Sequence, residues 1–323
     1  MMHIGTDAVA ATAGYATLAD AIARAFRSGV TAPVRGHYTV PVPGAPDATL
    51  LTMPAWTEGR YLGVKIATVF PGNSRTGRRA VSGQYLLLNA CDGEPLALIE
   101  GGELTARRTA AASALAASFL VRDDATIMTM VGTGRLSAHL VRAHRALRPT
   151  LREVVVWGRN AERAAAVAAR LQSECSDLEV SATDDLETSV RRSDLVSAAT
   201  LSTDPVIRGA WLRPGVHIDL VGGFTPQMRE ADDEAIRRAR VFCDTLEGAP
   251  HEAGDLCQPI ASGLLDPGSL TSLTQLCRQE RPGRQAPGDI TLFKSVGCAA
   301  EDLAAAVVVY EAQKKVLNAS TTS

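Results

Sequence analysis

TIMTMVGTGRLSAHLVRAHRAL, residues 126–147, passes from an apolar run through a glycine turn into a helical pattern. Gly132 follows the run directly, where a tight turn needs a residue with no side chain. Gly134 opens the helix, where bare backbone lets a pyrophosphate approach the positive helix end. The third place of the glycine pattern holds Ser137, small enough for close packing of helix and strand. Such a turn is weak evidence alone, but strand-then-helix recurs downstream. VVVWGRN precedes AERAAAVAARLQ, LEVSA precedes DDLETSVRRSD, and LVSAAT, VHIDLVGG, EADDEAIRRAR and VFCDT follow. Alternation of this length reads as α/β, a parallel sheet with right-handed crossovers. The region 125–297 is therefore expected to be a Rossmann dinucleotide-binding domain.

The second strand of that region ends in Gly158, Arg159 and Asn160. An NAD-preferring site typically places Asp or Glu here to accept from the ribose 2′-OH. Nothing acidic stands here to repel a 2′-phosphate, and Arg159 offers it a charge-assisted fork. Alternatively, Arg159 stacks on adenine or faces solvent. NADP(H) is favoured, with NAD(H) possible.

Upstream the texture differs. LADAIARAFRSG, residues 18–29, is an amphipathic helix stopped by Gly29. ATLLTMPAW, YLGVKIATVF, GQYLLLNA and PLALIEG then alternate like strands of a meander, with the turn NACDG between the last two. Residues 1–124 read as an α+β domain. The helix AAEDLAAAVVVYEAQKKVL cannot make a core alone and is expected to return to that domain, giving 1–124 with 298–323.

Composition narrows the function classes. The chain of 323 residues is 46% apolar and 21% charged, with net charge −2. That balance argues against a nucleic-acid or membrane-surface footprint, which would need clustered Lys and Arg. Aromatics at 4% leave too few rings for stacking single strands. No run reaches the roughly 20 apolar residues of a bilayer span. Six scattered cysteines without a C-x-x-C pair suggest reduced thiols and a cytoplasmic setting. The histidines form no zinc pattern, so no metal is expected.

Three cations precede the glycine turn. Arg35 lies in PVRGHY and is either a surface residue or a ligand for an anion. Lys65 interrupts an apolar strand between Val64 and Ile66. It points into a polar cleft, pairs with an acid, or sits on a wet sheet face. Arg108 opens an Ala-rich helix, although cations favour the opposite helix end. Asp219, central in HIDL, is either turned to the cofactor or bonded by neighbours. The acids of EAGDL and Glu301-Asp302 read as helix N-terminal acids.

Taken together, VRGHY, GVKIATVFPGN, GEPLALIEGGELTARRTAAASALA, VGTGRLS, HIDLVGGFTPQMREAD, EAGDL and ITLFKSVGCAAEDLAAA resemble the ornithine cyclodeaminase/mu-crystallin family over nearly the whole chain. The resemblance implies a homodimer, each subunit with a substrate and dimerisation domain and a Rossmann domain. It implies carboxylate-binding roles for Arg35, Lys65 and Arg108, the last also facing the cofactor. It places the dinucleotide on Gly132, Thr133, Gly134, Arg135, Leu136 and Ser137, on Arg159 with Asn160, and on Thr200. Val221, Gly222, Gly223, Lys294, Ser295 and Val296 complete that set, with Asp219 beside them.

Two departures redirect the expected reaction. Cyclodeaminases carry an aspartate after the strand-end glycines to handle the substrate's distal amine; here stands Phe224, which moves no proton. Ala80 replaces a threonine, with Ser82 two residues on. G-G-F-T-P with V-S-G upstream is similar to the branch that reduces cyclic ketimines, with Δ1-pyrroline-2-carboxylate going to L-proline. Arg35, Lys65 and Arg108 would clamp the carboxylate, Phe224 would pack on the ring, and Ser82 or Lys65 would relay a proton. The rivals are an ornithine cyclodeaminase using Asp219 or Glu230 instead, a small amino-acid dehydrogenase, and an NADPH-dependent binding protein of mu-crystallin type.

Overall fold

Fourteen strands and eleven α-helices fall into two units in a computed structural model. It describes residues 1–321, the side chains of 74–76, 320 and 321 excepted. One unit is 1–109 with 298–323, and the other is 110–297.

The first unit opens with β1 (Met2–Ile4), α1 (Thr6–Thr12) and α2 (Tyr15–Ser28). A meander follows: β2 (Gly36–Val40), β3 (Ala48–Thr57), β4 (Tyr61–Val69), β5 (Val81–Asn89) and β6 (Pro95–Glu100). The six strands lie in the order β1-β6-β5-β4-β3-β2, antiparallel except for the β1–β6 edge pair. Edge strand β2 begins at Gly36 and pairs only as far as Thr52 of β3. Pro54, which lacks an N–H, thus sits past the end of that ladder, where a missing donor is tolerated. Side chains alternate across the pleat. One face carries the buried Met53, Ala55, Lys65, Ala67, Tyr85, Leu87, Ala97 and Ile99. The other carries Tyr38, Leu50, Trp56, Leu62, Val64, Ile66, Leu86 and Leu88, apolar yet half-buried or exposed.

Helix α3 (Gly101–Leu120) contains the boundary between the units, at Thr109/Ala110. Residues 110–124, expected with the first domain, group with the second. The end of that stretch is tied there: Arg284 Nε donates to Leu120 O at 2.7 Å, and Arg148 Nη1 to Arg122 O at 2.8 Å.

In the second unit β7 (Ile127–Val131), α4 (Arg135–Leu147), β8 (Glu153–Trp157), α5 (Ala161–Glu174), β9 (Glu179–Thr183), α6 (Leu186–Arg192), β10 (Leu195–Ala198) and β11 (His217–Leu220) realise the alternation read in the sequence. After these come α7 (Asp233–Arg238), β12 (Arg240–Cys243), α8 (Ala249–Glu252), α9 (Gly254–Ala261), β13 (Thr271–Ser272), α10 (Leu273–Cys277) and β14 (Thr291–Lys294). All eight strands pair in parallel, in the order β13-β12-β14-β11-β10-β7-β8-β9. The stretch β9-β8-β7-β10-β11-β14 is the 3-2-1-4-5-6 order of the doubly wound fold, with its switch point between β7 and β10. Val131, Val196, Ile218, Leu220 and Leu292 fill the core around it. Each such side chain contributes roughly 1.5–3 kcal/mol by burial.

The last helix, α11 (Ala299–Thr321), belongs to the first unit and packs on α1, α2 and the faces of β3, β4 and β5. Its first turn therefore delivers Glu301 and Asp302 to the sheet face that carries Lys65.

Candidate active site

Each unit holds one constellation. In the first, Lys65 and Arg108 are almost completely buried. Arg108 Nη1 lies 2.6 Å from Glu301 Oε2, its Nε 2.8 Å from Asp302 Oδ1, and Lys65 Nζ 2.7 Å from Asp302 Oδ2. The Lys65 contact has ion-pair distance but poor alignment, leaving Asp302 Oδ2 without a hydrogen bond. Burial alone would raise Asp302, but Arg108 and Lys65 hold it below the ordinary range. Burial pulls Lys65 down to about 8; Asp302 opposes this, while the charges of Arg108 and Arg35 add to it. Arg108 is held above its ordinary value, because Asp302 and Glu301 outweigh its own desolvation. The three expected cations thus feel one another.

Two cations, Lys65 and Arg108, thus meet two carboxylates, Glu301 and Asp302, and the charge of Arg35 reaches Lys65. The polar capacity of this group is unfilled. Tyr85, opposite Lys65 in the β4–β5 register, is fully buried, and its hydroxyl has no hydrogen-bond partner. Burial, with Asp302 adding to it, pushes this phenol well above 10. Ser82 is not part of the group. It is exposed and, by alternation along β5, points to the sheet face opposite Lys65 and Tyr85. The relay through Ser82 is corrected accordingly. The acids of α11 were read as helix-end acids. Their signal was two charges directly before the wholly apolar run 303–310.

In the second unit the glycine turn has the geometry that an anion needs. Gly132 has φ +121°, and a Cβ there would lie 2.7 Å from Ala199 O. A Cβ on Gly134, the residue preceding α4, would meet nothing within 4 Å. The protein itself makes no demand for that glycine, and the open space lies over a helix N-terminus, so a pyrophosphate fits there. Ser137 donates its hydroxyl to Gly132 O at 2.8 Å and locks the turn, so this hydroxyl serves the loop. Thr133, Arg135 and Leu136 complete it, with Arg135 exposed. Arg159 is exposed and meets no partner among the described residues, whereas Asn160 accepts from Arg163 N at 2.8 Å as the cap of α5. Its side chain is committed to the helix.

The strand ends differ from expectation in a consistent way. Thr200 donates N–H and hydroxyl to Glu230, at 2.7 and 2.9 Å. Ser295 Oγ and Val296 N donate to Asp244 Oδ2 at 3.1 and 2.6 Å. Lys294 is fully buried beside Asp255 and Glu230, so its ammonium is withdrawn from any ligand. Asp219, equally buried, accepts from Ser197 Oγ at 2.6 Å and pairs with His144 Nε2 at 3.1 Å. It is a structural acid rather than a cofactor ligand, and neither Asp219 nor Glu230 is presented as a replacement base. Val221 is buried; Gly222 abuts Thr200, where a Cβ would overlap Thr200 O at 1.9 Å. Beyond the glycine pair Phe224 is 41% exposed. Glu230, named above only as a rival base, organises these loops with Asp244 and Asp255, which were not expected as site residues. Each lies in a run where acids also suit helix caps, so spacing alone gave no signal.

Comparison with known proteins follows from these two constellations. The sequence model of the ornithine cyclodeaminase/mu-crystallin family matches residues 4–316. A Δ1-pyrroline-2-carboxylate reductase of Paracoccus denitrificans is 41% identical over 261 residues, covering 80% of this chain and 82% of that protein. The Thermococcus litoralis Δ1-pyrroline-2-carboxylate reductase, solved with NADH and L-proline, superposes with TM-score 0.90 at 29% identity, covering 96% and 97% of the two chains. An archaeal alanine dehydrogenase dimer with bound NAD gives TM-score 0.86 at 26% identity, covering 96% and 95%.

Proposed function

The chain belongs to the ornithine cyclodeaminase/mu-crystallin family, and we propose that within it the protein is a nicotinamide-dependent reductase of a small cyclic imino acid, Δ1-pyrroline-2-carboxylate to L-proline. The observation that carries this reading is the buried group of the first unit, Lys65 and Arg108 with Glu301 and Asp302, beside the unfilled hydroxyl of Tyr85. Buried guanidinium and ammonium groups suit a small carboxylic acid. The two related reductases and the proline held by one of them support the same substrate class.

Arg108 and Arg35 hold the substrate carboxylate; charge-assisted bonds to guanidinium fix orientation as well as affinity. Lys65 stands beside them and supplies a proton to the imine nitrogen. Its value near 8 suits a donor that is protonated at neutral pH and gives up its proton readily. Phe224 offers no base, which disfavours deamination. The turn 132–137 would hold a dinucleotide, whose chemistry would be hydride donation: carbon would gain hydride, nitrogen a proton, and C=N would become CH–NH. Exposed Arg159 makes NADPH the preferred reductant, although the related structures hold NADH and NAD. The apolar outer face of the first sheet, Tyr38 to Leu88, fits a second copy of this chain in a homodimer, the state of the related alanine dehydrogenase. The six cysteines, with no C-x-x-C pair among them, favour a reducing compartment.

The test is oxidation of NADPH and NADH, followed by absorbance, with Δ1-pyrroline-2-carboxylate as substrate. Turnover with the imine supports the proposal. Turnover only with pyruvate plus ammonia replaces it by an amino-acid dehydrogenase, and ammonia released from ornithine replaces it by a cyclodeaminase. Binding of NADPH and small acids without any turnover replaces it by a binding protein.

A further inference from the structure

Three fully buried ionisable groups in the second unit take no part in the reaction above. Lys294 Nζ lies 3.0 Å from Asp255 Oδ2 and 3.7 Å from Glu230 Oε2. Glu230 is the hub. Its Oε1 accepts from Thr200 N and Oγ1, and its Oε2 from Gly222 N at 2.7 Å and Gly223 N at 3.3 Å. Its own N–H donates to Asp255 Oδ1 at 2.8 Å, and Ala231 N to the same oxygen at 3.2 Å. One carboxylate thereby joins the loops after β10 and β11, and Asp255 fixes the segment that carries it.

Stability alone does not account for this choice. Burying charges is expensive, and an apolar plug of similar volume is often neutral or stabilising by comparison. What an apolar plug cannot do is bond four donors at once. Gly222 and Gly223 lack side chains to hold them in place, and both would otherwise be conformationally free. A Cβ on Gly223 would come within 3.0 Å of Asp255 Oδ2 and 3.3 Å of Lys294 Nζ, so the loop lies directly on the ionic group. In the doubly wound fold the first half, β7 to β9, carries the phosphate turn and receives the adenosine side. The second half, β10, β11 and β14, receives the other mononucleotide.

We propose that Glu230 is a positioning residue for the nicotinamide half of the dinucleotide, acting through Thr200, Gly222 and Gly223, with Lys294 and Asp255 keeping its carboxylate in place. The proposal rests on the reading of this unit as a holder of a nicotinamide cofactor. Burial pushes the Glu230 carboxyl up to about 7; Lys294 opposes this, while Asp255 adds to it. Glu230→Gln nearly preserves size but turns an NH2 toward backbone N–H groups, so two acceptor contacts become repulsive.

The experiment measures Kd for NADH and for ADP-ribose on the wild type and on Glu230→Gln. NADH should weaken about tenfold, the loss for a hydrogen bond to a charged group. ADP-ribose, which lacks only the nicotinamide ring, should change less, by under about twofold, because its adenosine and pyrophosphate are seated on the turn 132–137. Equal weakening of both ligands, or no change in either, overturns the proposal. Because that variant can fail to fold, amide exchange of the ligand-free wild type is the second measurement. Thr200, Gly222 and Gly223 should exchange as slowly as the sheet core, and fast exchange there overturns the proposal as well. If the protein binds neither ligand, the cofactor reading itself fails, while the exchange rates still report whether Glu230 clamps the loops.

Discussion

Two buried ionic groups, one in each unit, differ in what fills them. Around Lys65 and Arg108 two cations meet two carboxylates, and the Tyr85 hydroxyl beside them has no hydrogen-bond partner. Around Glu230 the acids outnumber the single Lys294, and backbone and threonine donors fill both Glu230 oxygens. Asp255 Oδ2 and Lys294 Nζ also lack hydrogen bonds, but they face each other at 3.0 Å. A buried charge persists only when paired or bonded. The first group is the one proposed above to take a ligand, whereas the carboxylate at the hub of the second is filled by the chain itself and holds loops.

The strongest way to break that comparison is Arg108→Ala. The substrate carboxylate loses its fork, and kcat/KM should fall by about 2–5 kcal/mol. Asp302 and Glu301 would be left with too little positive charge, so thermal stability should drop too. Near-normal kcat/KM would remove the first group from substrate binding. The pH profile is the next test. With the Lys65 ammonium, pulled down to about 8 by burial, as the proposed donor, kcat/KM, which reports the free enzyme, should decline as pH rises past about 8. Lys65→Arg should abolish that decline because a guanidinium stays protonated; a decline that survives would assign it to another group.

Smaller effects sharpen the contrast at the edges. Arg159 meets no partner among the described residues, so Arg159→Ala should weaken NADPH by about 1.5–3 kcal/mol, the value of a charged hydrogen bond, and leave NADH nearly unchanged. Equal effects on both would place the arginine elsewhere than at a 2′-phosphate. Smallest of all should be Ser82→Ala. Its side chain is exposed on the wrong sheet face, and surface changes stay within about 0.5 kcal/mol. A marked loss of turnover would restore the relay that the geometry rejects.

The alternation of strand and helix from Ile127 onward was legible because period and turn residues are local properties. So were the glycine turn and the three cations, each odd in its own neighbourhood: Lys65 within an apolar strand, Arg108 at the unfavourable end of a helix. The partners of those cations were not legible. Glu301 and Asp302 lie about 190 residues further along the chain from Arg108, and a pair of acids at a helix start looks the same whether it caps the helix or neutralises a distant arginine. Asp219 and Lys294 illustrate the converse. Position in a strand-end motif suggested ligand contact, but the face of the sheet on which each side chain falls directed both inward.

By itself, then, the amino-acid order determined the α/β class, the phosphate turn at Gly132 and Gly134, and which positive side chains are candidates for an acid. Tertiary structure alone decided which of these charges meets which partner. The physical reason is range: backbone preference acts over a few residues and leaves its mark on a short stretch, whereas the free energy of a buried charge depends on whatever folding brings within about 4 Å of it.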